Sequence, residues 1–218
     1  MDDGIPSPPH SLASLRNHIC VYCGAAAQSR DHVPPKAWFA RDVRTRIRVP
    51  SCNACNHGRS KTDDEFRVIL GFLAGVKTPT QRELWRKASK TLRHSPGLRT
   101  RFLTQVFTDE KTGQSGIALS RSKVDDAMAR VVKGLHWHHH KEMVDLFASV
   151  QVWHLKSDSY AEIRNTLVLD LRSDHVGHDQ FEYMHGRPID KPSVSLWLLA
   201  FYRSAFFAVV TGHEMRNA

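Results

Sequence analysis

Between Cys20-Val21-Tyr22-Cys23 and Cys52-Asn53-Ala54-Cys55-Asn56-His57 lies Arg30-Asp31-His32-Val33-Pro34-Pro35. The chain has four cysteines, all in this segment, in two Cys-x2-Cys pairs with 28 residues between them. Pairs so spaced supply four thiolates to a tetrahedral Zn²⁺, and their concentration in the first quarter argues for metal rather than a disulfide framework. Four protein ligands leave no open coordination position, so the expected zinc is structural and any chemistry lies elsewhere. A module of about 55 residues has too little core to be stable alone, and the ion would tie its two ends together.

Taken in order, Cys20-x2-Cys23, Asp31-His32-Val33-x-Pro35 and Cys52-x2-Cys55-Asn56 resemble the HNH endonucleases, in particular the zinc-supported branch that includes phage junction-resolving nucleases. The resemblance covers residues 19 to about 67. It implies a ββα-metal, treble-clef-like module, with Asp31 and His32 on or beside the first strand, Ile47 to Pro50 as the second, and Asn56 on the helix. By position, Asp31 and Asn56 would give oxygens to a catalytic Mg²⁺ or Mn²⁺, and His32 would be the general base. Products would carry 5′-phosphate and 3′-hydroxyl ends. The residue types suit phosphodiester hydrolysis, since neutral imidazole accepts a proton near pH 7, and hard oxygens with remaining waters suit Mg²⁺ or Mn²⁺. One position departs from the pattern: many relatives carry a bracing asparagine where this chain has Ile47.

Outward from the motif the charge becomes informative. Thirty-one Lys and Arg against 22 Asp and Glu give a formal +9, which suits a polyanionic partner such as nucleic acid and leaves an anionic membrane surface open on charge alone. The surplus sits just after the motif, where residues 76–111 hold nine basic and three acidic side chains. Arg82, Arg86, Lys90 and Arg93 recur at helical steps as a basic stripe. Arg44, Arg46 and Arg48 alternate with Thr45, Ile47 and Val49, so an extended segment would present three guanidiniums on one face. Arg59 and Lys61 follow Asn56 on the expected motif helix and complete the candidate phosphate contacts.

The remainder reads as α+β. Residues 1–15, with Pro6, Pro8 and Pro9, are expected to be a tail, 16–75 the zinc-stapled module, and 76–218 a basic helix plus an α+β substrate-positioning domain. Thr62-Asp63-Asp64-Glu65 predicts a capping box opening a helix through Phe66, Ile69, Leu70 and Leu73. Val124, Met128, Val131, Val132 and Leu135 predict another helix, while Gln151–Leu155 and Thr166–Leu171 have strand-like content. Trp197–Thr211 fits two strands or one buried helix, and we favour strands. His136-Trp137-His138-His139-His140 reads as a surface helix end with Trp137 packed inward, because adjacent helical residues diverge and make a poor metal site.

The most apolar stretch, Val194–Val210, is interrupted by Arg203 and is short for a membrane span, and the N-terminal segment does not read as a signal peptide. Cytoplasmic residence without membrane association is therefore expected. The sequence points to a metal-dependent endonuclease acting on DNA above RNA, with a homodimer left open. The alternative is a zinc-stapled nucleic-acid-binding module without cleavage activity.

Overall fold

A computed structural model describes residues 18–212 apart from 42, 44–46, 112, 114, 168–170, 189 and 192. The expected tail 1–15 lies outside the described residues. Strands β1 (Ser29–Val33) and β2 (Ile47–Ser51) form an antiparallel hairpin, followed by the short helix α1 (Asn53–His57). Helices α2 (Ser60–Ala74), α3 (Pro79–His94) and α4 (Pro96–Gln105) come next, then the small hairpin β3 (Val106–Thr108) and β4 (Ser115–Ile117). The long helix α5 (Arg121–His140) leads to β5 (Ser149–Leu155) and α6 (Ser157–Leu167). Last come β6 (Arg172–Val176), β7 (Phe181–Gly186), β8 (Ser195–Phe201) and β9 (Ala205–Gly212). The chain is α+β.

The five late strands form an antiparallel sheet in the order β5-β9-β8-β7-β6. Successive side chains of a strand emerge on opposite faces, and in the strands β7, β8 and β9 both faces are covered. Trp197, Leu199, Phe201, Phe207 and Val209 join the main core, while Leu198, Ala200, Phe206 and Ala208 pack with Tyr160 of α6. Double burial makes Leu196–Phe201 an unbroken apolar run, which explains why periodicity alone does not separate strand from helix there.

Helix α5 buries Val124, Met128, Val131, Val132 and Leu135 and touches both the β1–β2 hairpin and strands β5 and β9. At its closest approach to β1 there is a glycine: a Cβ on Gly134 would sit 2.5 Å from Val33 Cγ2. Trp38 joins the early and late parts of the chain, with ring centroids 4.5 Å from Phe66 and 5.8 Å from Phe201. The main core therefore runs without a break from Val21 to Val209. The loop between β1 and β2 is tied to the far end of the chain as well. Ala40 N donates to Gln180 Oε1 at 2.7 Å and Tyr202 Oη at 2.8 Å, and the Tyr202 hydroxyl donates to Trp38 O at 2.8 Å.

Two local expectations are corrected. Helix α2 opens at Ser60 with no side-chain cap bond, not at Thr62, because Glu65 is drawn to Lys123 of α5 at 2.6 Å. The capping box belongs instead to α3, where Thr78 and Gln81 exchange bonds ahead of Pro79. Thr166 and Leu167 are helical, since α6 extends through them, and 168–170 lie outside the described residues. Among the described residues, no helix is long and apolar enough to cross a membrane.

Candidate functional site

The four cysteines converge. Cys20 and Cys23 lie on a tight turn closed by Cys20 N to Ala25 O (2.7 Å) and Gly24 N to Cys20 O (2.9 Å), with Gly24 at φ +76°. Such a φ suits glycine because it has no Cβ. Cys52 caps α1, its sulfur accepting from Cys55 N at 3.4 Å, so helix formation itself brings the second pair together. All four Sγ atoms lie within 4.8 Å of one another and could hold a structural metal ion such as zinc. The donor set fits that ion in kind, four soft sulfur ligands in two pairs. Hydrogen bonds from the backbone of Cys52, Tyr22 and Cys23 bring the Cys20 thiol down to about 7 against the effect of burial, whereas burial and the neighbouring sulfurs push Cys55 well up. No second group of three or more His, Cys, Asp or Glu side chains converges in this way among the described residues.

Asp31 and His32 are neighbours on β1, so their side chains emerge on opposite faces. Asp31 faces inward and is 7% exposed. Its Oδ2 accepts from Tyr22 Oη at 2.8 Å and from Arg130 Nη2 at 2.5 Å, and its Oδ1 accepts from His32 N at 2.9 Å. His32 is half-buried on the other face, opposite the exposed Arg48 of β2. Ile47 pairs with Val33 on the core-facing side. A side chain at 47 therefore points away from His32, and an asparagine there would not brace it.

Asn56 lies on α1 and spans back to β1, its Nδ2 donating to Ser29 Oγ at 3.0 Å and Arg30 O at 3.3 Å. These bonds leave its carbonyl oxygen as the remaining polar atom of the side chain. The Asp31 carboxylate and Asn56 carbonyl are hard oxygens that fit Mg²⁺ or Mn²⁺ in kind, but the Arg130 guanidinium competes for Asp31 Oδ2.

The basic candidates disperse. Arg44 and Arg46 lie outside the described residues. Arg59 and Lys61 are not on the motif helix as expected: α1 ends at His57, Arg59 caps α2, and Lys61 lies within α2. The break falls at Gly58, where a Cβ would sit 2.5 Å from Ala54 O. Arg82, Arg86, Lys90 and Arg93 share the exposed face of α3. Arg86 is held by Glu83 at 2.7–2.8 Å, while Arg82 donates to the carbonyls of Val76 and Lys77.

Arg130 is the residue that sequence reasoning missed. It is 8% exposed, stacks over the Tyr22 ring at 4.7 Å, and closes the buried ion pair with Asp31. Its Nε and Nη1 find no hydrogen-bond partner among the described residues. Beside it lies a recess of about 130 Å³ lined by Tyr22, Cys55, Arg59, Asp126, Arg130 and Lys133. Asp63 of α2 is close enough to feel both Arg130 and Asp31, and burial pushes its carboxyl up to about 6. A signal for Arg130 did exist: Ala127, Arg130 and Gly134 follow three- and four-residue spacing along the buried side of α5, so a cation stands inside an apolar stripe.

The histidine run is a helix end, yet a packed one. His136 is buried with Arg187 Nη2 2.7 Å from its Nε2, and His139 Nε2 lies 2.9 Å from Tyr183 Oη. The His139 and His185 rings are 4.0 Å apart, and His185 stacks on Trp197 at 4.8 Å. Desolvation, joined by neighbouring cations and imidazoles, lowers His136, His139 and His185 to about 4. Trp137 is partly buried, as expected, with Lys141 over its ring.

No protein-family model, curated protein or solved structure matches this chain.

Proposed function

We propose that the chain is a metal-dependent HNH-type endonuclease that hydrolyses phosphodiester bonds in DNA, its frame held by a structural zinc. The observation that carries this reading is Asn56 hydrogen-bonded from α1 onto Ser29 and Arg30 of β1, the strand that bears Asp31 and His32. A ββα arrangement of that kind, with four thiols at its base, supports the resemblance of the motif to the zinc-supported HNH branch.

In this mechanism Asp31 and Asn56 would hold the divalent ion. When bound, Mg²⁺ or Mn²⁺ supplies the positive charge that stabilises the departing oxygen. An imidazole nitrogen of His32 takes the proton from the attacking water, and cleavage leaves 5′-phosphate and 3′-hydroxyl ends. Arg48, beside His32 on the outer face, and the exposed stripe of α3 orient the nucleic-acid backbone through phosphate contacts that carry no base information.

The test is a plasmid-nicking assay with Mg²⁺ or Mn²⁺ on the zinc-loaded protein, comparing the parent with His32→Ala and Asp31→Ala. Both variants should lose cleavage, and unchanged activity in both removes the mechanism. A second reading, a zinc-stapled nucleic-acid-binding module without cleavage, is favoured by one specific observation: Asp31 is already paired with Arg130. That reading predicts salt-sensitive binding and no Mn²⁺ site beyond zinc.

A further inference from the structure

We infer that Arg130 is a gate on Asp31: a phosphate-class oxyanion entering the adjoining recess draws the guanidinium away and frees the carboxylate, so that anion and divalent ion bind cooperatively. The inference rests on the nuclease reading of Asp31 and extends it to how that site is armed. Three independent features carry it.

The first is the state of the carboxylate. Oδ2 of Asp31 has two lone pairs, and the Tyr22 hydroxyl and Arg130 Nη2 use both. Oδ1 accepts one bond, from His32 N, so a hard cation that reaches the carboxylate there meets the Arg130 charge on the neighbouring oxygen, and the two compete for the same negative charge. The second is the unmet capacity of the guanidinium. Arg130 is more than nine-tenths buried, yet its Nε and Nη1 have no hydrogen-bond partner among the described residues. Buried N–H groups left unmet are costly, and those of a guanidinium form a fork whose natural complement is a pair of oxyanion oxygens.

The third feature is the recess. Arg130, Arg59 and Lys133 face it, against the Asp126 carboxylate and the Cys55 sulfur, and about 130 Å³ holds one tetrahedral oxyanion rather than a nucleobase with its sugar. The Tyr22 ring lies 4.7 Å beneath the guanidinium. A flat aromatic platform lets the cation move sideways while keeping its attraction to the ring, so the displacement from Asp31 to anion needs no change of fold. The coupling is reciprocal: whatever factor the anion adds to the affinity for the ion, the ion adds to the affinity for the anion. Substrate phosphate then arms the site it is about to occupy, and an ion alone meets a carboxylate whose charge Arg130 already neutralises.

The experiment titrates Mn²⁺ into the zinc-loaded full chain at constant ionic strength, in sodium chloride and in sodium sulfate, reading free Mn²⁺ by electron paramagnetic resonance. Sulfate stands in for the phosphate group. The expected result is at least roughly fivefold tighter Mn²⁺ binding in sulfate. Arg130→Met should bind Mn²⁺ tightly in both salts. Arg130→Lys, which keeps a cation without the fork and guards against a misfolded methionine variant, should lose the sulfate effect. Asp31→Asn should abolish binding throughout. Equal affinities in the two salts, with Arg130→Met no tighter than the parent, overturn the gate and leave the nuclease reading standing. Absence of Mn²⁺ binding in every protein, or binding that survives Asp31→Asn, overturns both.

Discussion

Removing Arg130 should cost far more stability than its single ion pair would suggest at a surface. Asp31 and Arg130 are 7% and 8% exposed, so the value of about 0–1 kcal/mol for solvated pairs does not apply. Breaking a buried pair by deleting one partner strands the other charge, at about 3–5 kcal/mol. In Arg130→Met the carboxylate keeps the Tyr22 hydroxyl and the His32 amide, which places the expected loss near the lower end, about 3 kcal/mol. In Asp31→Asn the stranded group is a guanidinium that already lacks partners on two nitrogens, and the loss should be at least as large. The double variant removes both charges and lets methionine pack on Tyr22. It should be no less stable than either single variant, which makes the coupling about 3 kcal/mol or more. Urea unfolding of the zinc-saturated proteins at pH 7, with unchanged slope, measures this. Additive single effects, each below about 1 kcal/mol, would refute the reasoning.

Four other outcomes are expected. The chain should carry one zinc, and stripping it with a chelator, or Cys52→Ser, should lower the thermal midpoint by roughly 10 °C or more, followed by near-ultraviolet circular dichroism. Gly134→Ala should destabilise by about 1–3 kcal/mol in chemical denaturation despite better helix propensity, because the new methyl meets Val33. Stability should be full above about pH 6.5 and decline as the pH falls from there to about 4, because His136, His139 and His185 are neutral in the fold down to about 4 but take up protons near 6.5 when unfolded. Asp63, raised from 3.8 to about 6, works the other way between those values and offsets only part of that decline; His185→Phe should flatten the profile of urea midpoint against pH. On the proposed function, Lys90→Ala and Arg93→Ala should each reduce the salt slope of DNA binding by about 1, and Arg86→Ala by less because Glu83 already holds it.

What could be read from the residues was local. The spacing of Cys20, Cys23, Cys52 and Cys55 announced their convergence, since a tight turn and a helix start each bring a pair together. The inward positions of α5 followed from apolar pattern, whereas in the stretch that forms β8 and β9 that pattern left strand and helix both open. Contacts set by tertiary packing were not legible. Glu65 looked like a capping residue until Lys123 claimed it, 58 positions away. Arg130 reaches Asp31 across 99 positions, and periodicity carries no information about which distant strand a helix will press against. The histidine run likewise gave no hint that His185, near the end of β7, would lie against it.

The anchoring of Ala40 bears on the order in which this molecule can become itself. A chain is made from its N-terminus, and all four cysteines, Asp31, His32 and Asn56 have emerged before a third of it exists. The loop joining β1 to β2 nevertheless finds its two clasps, Gln180 and Tyr202, only when the last sheet is being completed. A fragment cut short in translation would carry every residue of the motif and still lack the buckle that fixes its hairpin. The early strands are thus braced from this side only in a molecule in which Gln180 and Tyr202 are in place.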